Sequence, residues 1–423
     1  MTSVGRSRPV LPRAAWGFAD QAVSAASNVL LTVVVARTYS AEDLGEFSLV
    51  YVLFALVLGL TRTTGGGVLA IEYADDQAAL RRAVARSTGF SMGVGACLAV
   101  PGVALGLLLK DDLGPVLVVV SLALPLLLLQ DGLRSYFFCQ RRPQAAFFND
   151  LVWGVGEVAL FALVLSREGT PAMSTLVGCW AGAGAVAGLV GLVQSGVVPR
   201  PAPPLRWLRA HGKVAWPLVT SEVLTQLPAH VVYLTLPLVA SVTQLGHLRA
   251  AYVFFGPLAV LNAGASMLAL PHAVTMRRQG AVPALGRRVS RMLAGVSCLW
   301  TAVVVLLPER LGRAVVGDSW SGTAGTRFLL GVSLVAEAVL VGQVAALAAL
   351  RDTRRLARIR TVSAPLTVLV ALVLAALVGA PGAAAGFAAG YWVAAVLAWT
   401  LLLRRPPIGR RLVMPLRIAV DAS

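Results

Sequence analysis

The sequence predicts an all-α polytopic membrane protein, with twelve transmembrane helices in two six-helix bundles related as an internal repeat. Three observations carry that expectation. With 57% hydrophobic and only 13% charged residues and a mean hydropathy of +0.79, the chain lacks the polar surface that 423 residues of soluble protein present to water. Apolar stretches that approach or exceed the length needed to cross a bilayer as helices, about 20 residues, recur throughout. Finally, Leu44-Gly45-Glu46-Phe47-Ser48-Leu49-Val50-Tyr51-Val52 is matched by Leu245-Gly246-His247-Leu248-Arg249-Ala250-Ala251-Tyr252-Val253, displaced by 201 positions, which marks a duplicated half.

The expected spans are, in order, 14–35, 44–60, 87–109, 113–133, 145–166, 173–194, 214–240, 248–271, 289–307, 326–350, 362–378 and 383–403. The first follows Arg13 but is too long for a signal-peptide core and contains Asp20, Gln21 and Asn28, so a retained helix is expected rather than a cleaved leader. The second opens at Ser40-Ala41-Glu42-Asp43, where Ser40 and Asp43 have capping-box spacing and the acids suit the helix dipole. Six spans form an N-terminal lobe, 1–195, and six a C-terminal lobe with a cytoplasmic tail, 214–423. Between them, 196–213 reads as a cytoplasmic linker: a Pro-rich spacer, then Leu205-Arg206-Trp207-Leu208-Arg209, a basic and aromatic segment suited to lying flat at the interface. An even number of spans per half gives both lobes the same orientation about an axis along the membrane normal. In the seventh span Pro217, Pro228 and Pro237 either supply a hinge or make a static kink. The longest outer segment, 308–325, is too short for a catalytic domain.

The net charge of +17 is distributed by side. With the N-terminus inside, 29 of the 36 Lys and Arg residues fall in inner segments, which follows the positive-inside rule and places both termini in the cytoplasm. The basic charge is then an orientation signal and a contact for anionic lipid, not a nucleic-acid surface. Cys97, Cys139, Cys179 and Cys298 are far apart, without metal or redox spacing, and read as small packing residues. Gly65-Gly66-Gly67 is followed by no Lys-Ser or Lys-Thr, so no ATP-binding loop is expected, and no Gly-x-Ser-x-Gly or His-Glu-x-x-His occurs. No cofactor, metal site or enzymatic activity is expected.

Polar groups at membrane depth are costly and count as functional candidates. Asp20, Gln21, Ser24, Ser27 and Asn28 fall within roughly 120° of helical arc. The 201-residue offset places Asp20, Gln21 and Ser24 opposite Ser221, Glu222 and Thr225, so the first and seventh helices are expected to face one another across a cavity; Gln226, His230 and Tyr233 extend the second stripe. Asp150 and Glu157 share a face of the fifth helix with Trp153 between them, and Glu337 follows Ser333 by one turn in the tenth. Asp20, Glu157, Glu222 and Glu337 are the candidates for proton or ion coupling; structural pairing is the alternative for each. Asp131 and Arg134 close the fourth helix. Arg62, beside Thr61, Thr63 and Thr64, reads either as a phosphate contact at the cavity mouth or as a positive-inside anchor.

The segment Ala36-Arg37-Thr38-Tyr39-Ser40-Ala41-Glu42-Asp43-Leu44-Gly45-Glu46-Phe47, after a helix ending Asn28-Val29-Leu30-Leu31-Thr32, resembles bacterial polysaccharide biosynthesis proteins of the oligosaccharide-lipid flippase branch. That branch belongs to the multidrug, oligosaccharidyl-lipid and polysaccharide exporter (MOP) superfamily. The resemblance implies twelve helices in two bundles in the bacterial inner membrane. It also implies alternating-access flipping of a polyprenyl-diphosphate-linked saccharide, with cavity arginines holding the diphosphate. Membrane lipids and, at the Arg-rich cytoplasmic loops, polysaccharide synthesis enzymes are the expected partners of a monomeric chain. The sequence departs from that pattern: its seam helices carry Asp20 and Glu222, while Arg62, Arg134 and Arg249 sit near helix ends. This leaves room for a cation- or proton-coupled multidrug exporter on the same fold. A membrane glycosyltransferase or polymerase using Glu42 and Asp43 as a metal pair is a third reading, disfavoured by the short outer loops.

Overall fold

The computed structural model describes residues 10–201, 203–276, 281–350 and 352–403, and among them there is no strand. The helices are α1 (Val10–Thr38), α2 (Ala41–Thr61), α3 (Gln77–Leu108), α4 (Leu113–Cys139), α5 (Pro143–Leu165), α6 (Met173–Ser195), α7 (Pro204–Val239), α8 (Val242–Val253), α9 (Gly256–Thr275), α10 (Val282–Val305), α11 (Glu309–Val316), α12 (Ala324–Ala349), α13 (Thr353–Val378) and α14 (Ala380–Leu403). Among the described residues ten helical stretches are long and apolar enough to cross a membrane, and the bent pair α8 and α9 makes an eleventh. The longest helix, α7 at 36 residues, carries Glu222, His230 and three internal prolines and is not among these stretches. Apolar side chains cover the outside: Leu108, Val193 and Leu238 are each more than three-quarters exposed, which suits contact with acyl chains and not with water. The expected basic residues Arg6, Arg8, Arg277, Arg278, Arg351 and Arg404 to Arg417 lie outside the described residues.

Helices α1 to α6 pack mainly on one another, through α1 on α5, α3 on α4 and α4 and α5 on α6; α7 to α14 do the same through α7 on α13, α10 on α12 and α12 and α13 on α14. The two sets meet where α2 crosses α8. A Cβ on Gly45 would collide with the Val242 carbonyl, and one on Gly246 with the Ala41 carbonyl. These are the same contact twice, since 45 and 246, and 41 and 242, are each 201 apart. The caps repeat as well: Ser40 caps α2 by accepting from the Asp43 N–H, and Ser241 caps α8 by accepting from the Gln244 N–H. The duplicated segment is thus the pseudo-symmetric joint between the halves, and its glycines are retained in both copies because only a hydrogen fits there.

Three expectations are modified, and one outer segment gains structure. The span at 248–271 is two helices meeting at 61°, because Pro257 in the first turn of α9 has no N–H and its ring clashes with the carbonyl four residues back. The basic segment after the Pro-rich spacer does not lie apart at the interface: it forms the first turns of α7, with Trp207 buried against the first lobe. Trp207 Nε1–H donates to the Thr64 carbonyl at 3.0 Å; Thr64 lies in a π-helical continuation of α2, Arg62–Gly66, where the wide turn alters the usual carbonyl pairing. The outer segment 308–325 is largely ordered as α11 and a 3-10 turn, Gly317–Thr323. Of the four cysteines only Cys139 is buried, and Cys97 and Cys298 are exposed.

Candidate functional site

The polar stripe of α1 turns into its own lobe. Asp20 is fully buried and accepts from Arg134 Nη2 of α4. Arg134 Nε lies 3.1 Å from Asp150 Oδ2 of α5. Gln130 Nε2 donates to Asp150 Oδ1 at 2.7 Å and to Asn149 Oδ1 at 3.1 Å, and Asn149 Nδ2 donates to the Ala187 carbonyl of α6 at 2.8 Å. One guanidinium therefore stands between two carboxylates, and amides extend the network across α4, α5 and α6. Higher on α1, Ser27 donates to the buried Glu157 carboxylate, and Asn28 accepts from the Tyr51 hydroxyl at 3.0 Å. Gln21 and Ser24 are half-buried. The expected confrontation of α1 with α7 across a hollow does not occur at Asp20. Its charge is matched inside the lobe, since a carboxylate in low dielectric takes the nearest guanidinium, and here that belongs to α4.

Arg62 is also committed: its Nε and Nη2 donate to Asp131 Oδ1 at 3.0 and 2.5 Å, in a forked pair with half of the Arg62 side chain still exposed. That geometry orients the guanidinium and occupies the face that a phosphate contact would use. Asp43 Oδ2 takes both the Ser40 N–H and hydroxyl, so the Glu42 and Asp43 pair has a capping role.

The seam opens elsewhere, between α2 and the second lobe. A cavity of about 190 Å³ is bounded by Tyr51, Val52 and Ala55 of α2, by Ala229, His230 and Tyr233 of α7, by Arg249 and Tyr252 of α8, and by Glu337 of α12. Arg249 bridges the lobes: its Nη2 donates to Thr32 Oγ1 of α1 at 3.0 Å, and its guanidinium carbon sits 4.4 Å from the centre of the Tyr51 ring. Its buried Nε–H has no acceptor. A smaller recess, about 30 Å³, holds Glu222, Gln226 and His230 of α7 against Gly59 and Leu60 of α2. A third cavity of about 430 Å³ lies inside the second lobe, where Thr225 and Gln226 of α7, Glu337, Arg360 of α13 and Tyr391 of α14 line mostly apolar walls.

Of the residues expected from sequence, Glu222, Thr225, Gln226, His230 and Glu337 line these cavities, whereas Asp20, Gln21, Ser24, Asn28, Glu157 and Arg62 do not. Arg249, Arg360 and the tyrosines Tyr51, Tyr252 and Tyr391 were not singled out. Arg249 reads as a helix-end charge in sequence, yet the bend after Val253 turns α8 so that this residue enters the seam. A usable signal existed: Arg249 lies inside the duplicated segment that forms the joint.

No family model matches the sequence and no curated protein matches it, but solved structures match the fold. A structure described as "Lipid II flippase MurJ, inward closed conformation" superposes with a TM-score of 0.72 at 10% identity, covering 94% of this chain and 88% of that one. An outward-facing multidrug resistance MATE family transporter of the MOP superfamily gives 0.65 at 12% identity, covering 93% and 94%. An inward-facing MATE family transporter of the same superfamily gives 0.64 at 15% identity, covering 95% of each chain. At these identities the likeness establishes architecture alone: this chain is a multi-pass membrane protein with the two-lobed helical fold of MOP-superfamily transporters.

Proposed function

We propose that this protein is a flippase of the polysaccharide export type, moving a polyprenyl-diphosphate-linked saccharide across the bacterial inner membrane by alternating access. The supporting observation is Arg249, a guanidinium at the seam with an unpartnered, buried Nε–H. A planar, permanently charged fork suits a diphosphate, and its contacts to Thr32 and Tyr51 of the opposite lobe let an arriving anion exchange those partners for itself. Ligand binding at that residue is thereby linked to the separation of the lobes. The chain acts as a monomer with both termini in the cytoplasm, where its Arg-rich loops meet the enzymes that supply the substrate.

A charge-assisted hydrogen bond is worth about 1.5–3 kcal/mol, or roughly one to two decades of affinity. Arg249→Ala is expected to reduce export at least tenfold, with inner-leaflet accumulation of lipid-linked saccharide, and Arg249→Lys to restore only part of it. Wild-type export by Arg249→Ala, at equal membrane abundance, sinks the reading. The multidrug alternative keeps one favourable observation, the Glu337 carboxylate among Tyr233, Tyr252, Phe387 and Tyr391, which suits a lipophilic cation. It is distinguished by resistance to cationic compounds on overexpression, lost in Glu337→Gln.

A further inference from the structure

The cavity inside the second lobe contains a charge pattern that the seam does not explain. Glu337 and Arg360 both line it, yet no ion pair or hydrogen bond joins them, and among the described residues neither has such a partner. In the first lobe, by contrast, the buried Arg134 is paired with Asp20 and Asp150. Glu222 and Tyr391 are the ionisable groups nearest in effect to Arg360, and neither bonds to it. Glu337 falls at the midpoint of α12 and Arg360 five to six residues inward of the midpoint of α13. The acid and the base thus stand on different helices of one cavity without touching. The walls between and around them are Leu340, Val344, Ala345, Leu356 and Ile359. A separated acid and base on an apolar lining complement a ligand that carries both charges on one head and an apolar body.

We infer that this cavity is a binding site for a zwitterionic amphiphile of the aminophospholipid class, its phosphate on Arg360 and its primary ammonium on Glu337. The polarity follows from charge: the Arg360 guanidinium takes the anionic group, while the Glu337 carboxylate, lining the same cavity as Tyr391, accepts from the ammonium N–H groups. The membrane is the nearest source of such a molecule. Glu337 also borders the seam cavity, whereas Arg360 lies outside it, so the Arg360 variant separates the failure of this inference from that of the flippase reading.

The test is lipid retention by the full-length protein purified in detergent, read by native mass spectrometry after titration with phosphatidylethanolamine, phosphatidylglycerol or water-soluble phosphoethanolamine. Wild type is expected to bind one phosphatidylethanolamine at least tenfold more tightly than phosphatidylglycerol. Glu337→Gln is expected to abolish that preference, and Arg360→Gln to weaken both lipids at least tenfold. Ser363→Phe, which fills the cavity without changing charge, is expected to exclude both while the protein stays folded. Equal binding of the two lipids by wild type, or unchanged preference in Glu337→Gln, overturns the assignment. Phosphoethanolamine binding as tightly as the lipid reassigns the site to a soluble zwitterion and overturns the lipid reading.

Discussion

Arg134 is the residue on which the interior of the first lobe depends, because it alone stands between Asp20 and Asp150. Removing one partner of a buried pair costs about 3–5 kcal/mol, since the remaining charge stays desolvated; here two carboxylates would be left. Arg134→Met is therefore expected to lower the thermal midpoint in detergent and the folded yield sharply, whereas Asp20→Asn, which keeps a hydrogen-bond acceptor, is milder. Small losses from both variants would show that water reaches the site and hydrates the carboxylates. At the water-exposed turn before α3, Asp76 accepts from the Ala79 and Ala78 N–H groups. Those bonds, that of Ala79 foremost, hold its carboxyl below the usual range. A depressed carboxyl contributes stability that is present above its unfolded pKa and is lost as pH falls through its folded one. Hydrogen exchange at Ala78 and Ala79 is thus expected to accelerate only in acid beyond the ordinary aspartate range, and Asp76→Asn to remove that acid dependence. Asp20 and Ser27 belong to a legible polar stripe, but whether they faced a cavity or a neighbour was not written in it: their partners Arg134 and Glu157 are 114 and 130 positions away.

Two elements carry the connection between the lobes. The α2 and α8 crossing admits no side chain at Gly45 or Gly246. Because their contacts are related by the repeat, Gly45→Ala and Gly246→Ala are expected to lower the thermal midpoint by similar amounts, measured in the same detergent. A large effect from one and none from the other would show that the joint is not symmetric. The first turns of α7 form the second connection, through Trp207 on Thr64 and Phe90 and His211 Nδ1 at 2.6 Å from Glu72 Oε2. Truncating a buried aromatic costs about 3–5 kcal/mol. Trp207→Ala is expected to release the α7 start from the first lobe, seen as faster proteolysis near Arg206 and Arg209. The capping box at Ser40 and Asp43 was readable because capping is local in sequence. The bend at Pro257 had a local signal as well, but the apolar run across it concealed the break: hydropathy is indifferent to whether a span is straight.

For the whole molecule, the proposed alternating access about the α2 and α8 joint would require the ends of the lobes to move relative to each other while the glycine contact persists. Spin labels at the exposed positions 75 and 209, which leave the Glu72 and His211 contact in place, are expected to show a second, longer distance population when that contact opens; a single distance under all conditions would contradict rocking at that end. The membrane class and the duplication were determined by sequence alone, because each is a property summed along the chain: apolar length and a fixed offset. The tertiary structure decided which polar residues are spent and which remain available. It took Asp20, Glu157 and Arg62 into internal pairs and brought Arg249 into the seam beside Thr32, 217 positions away. A buried charge is satisfied by whatever packing places within hydrogen-bond reach, and that proximity is a property of the folded helices, not of their order.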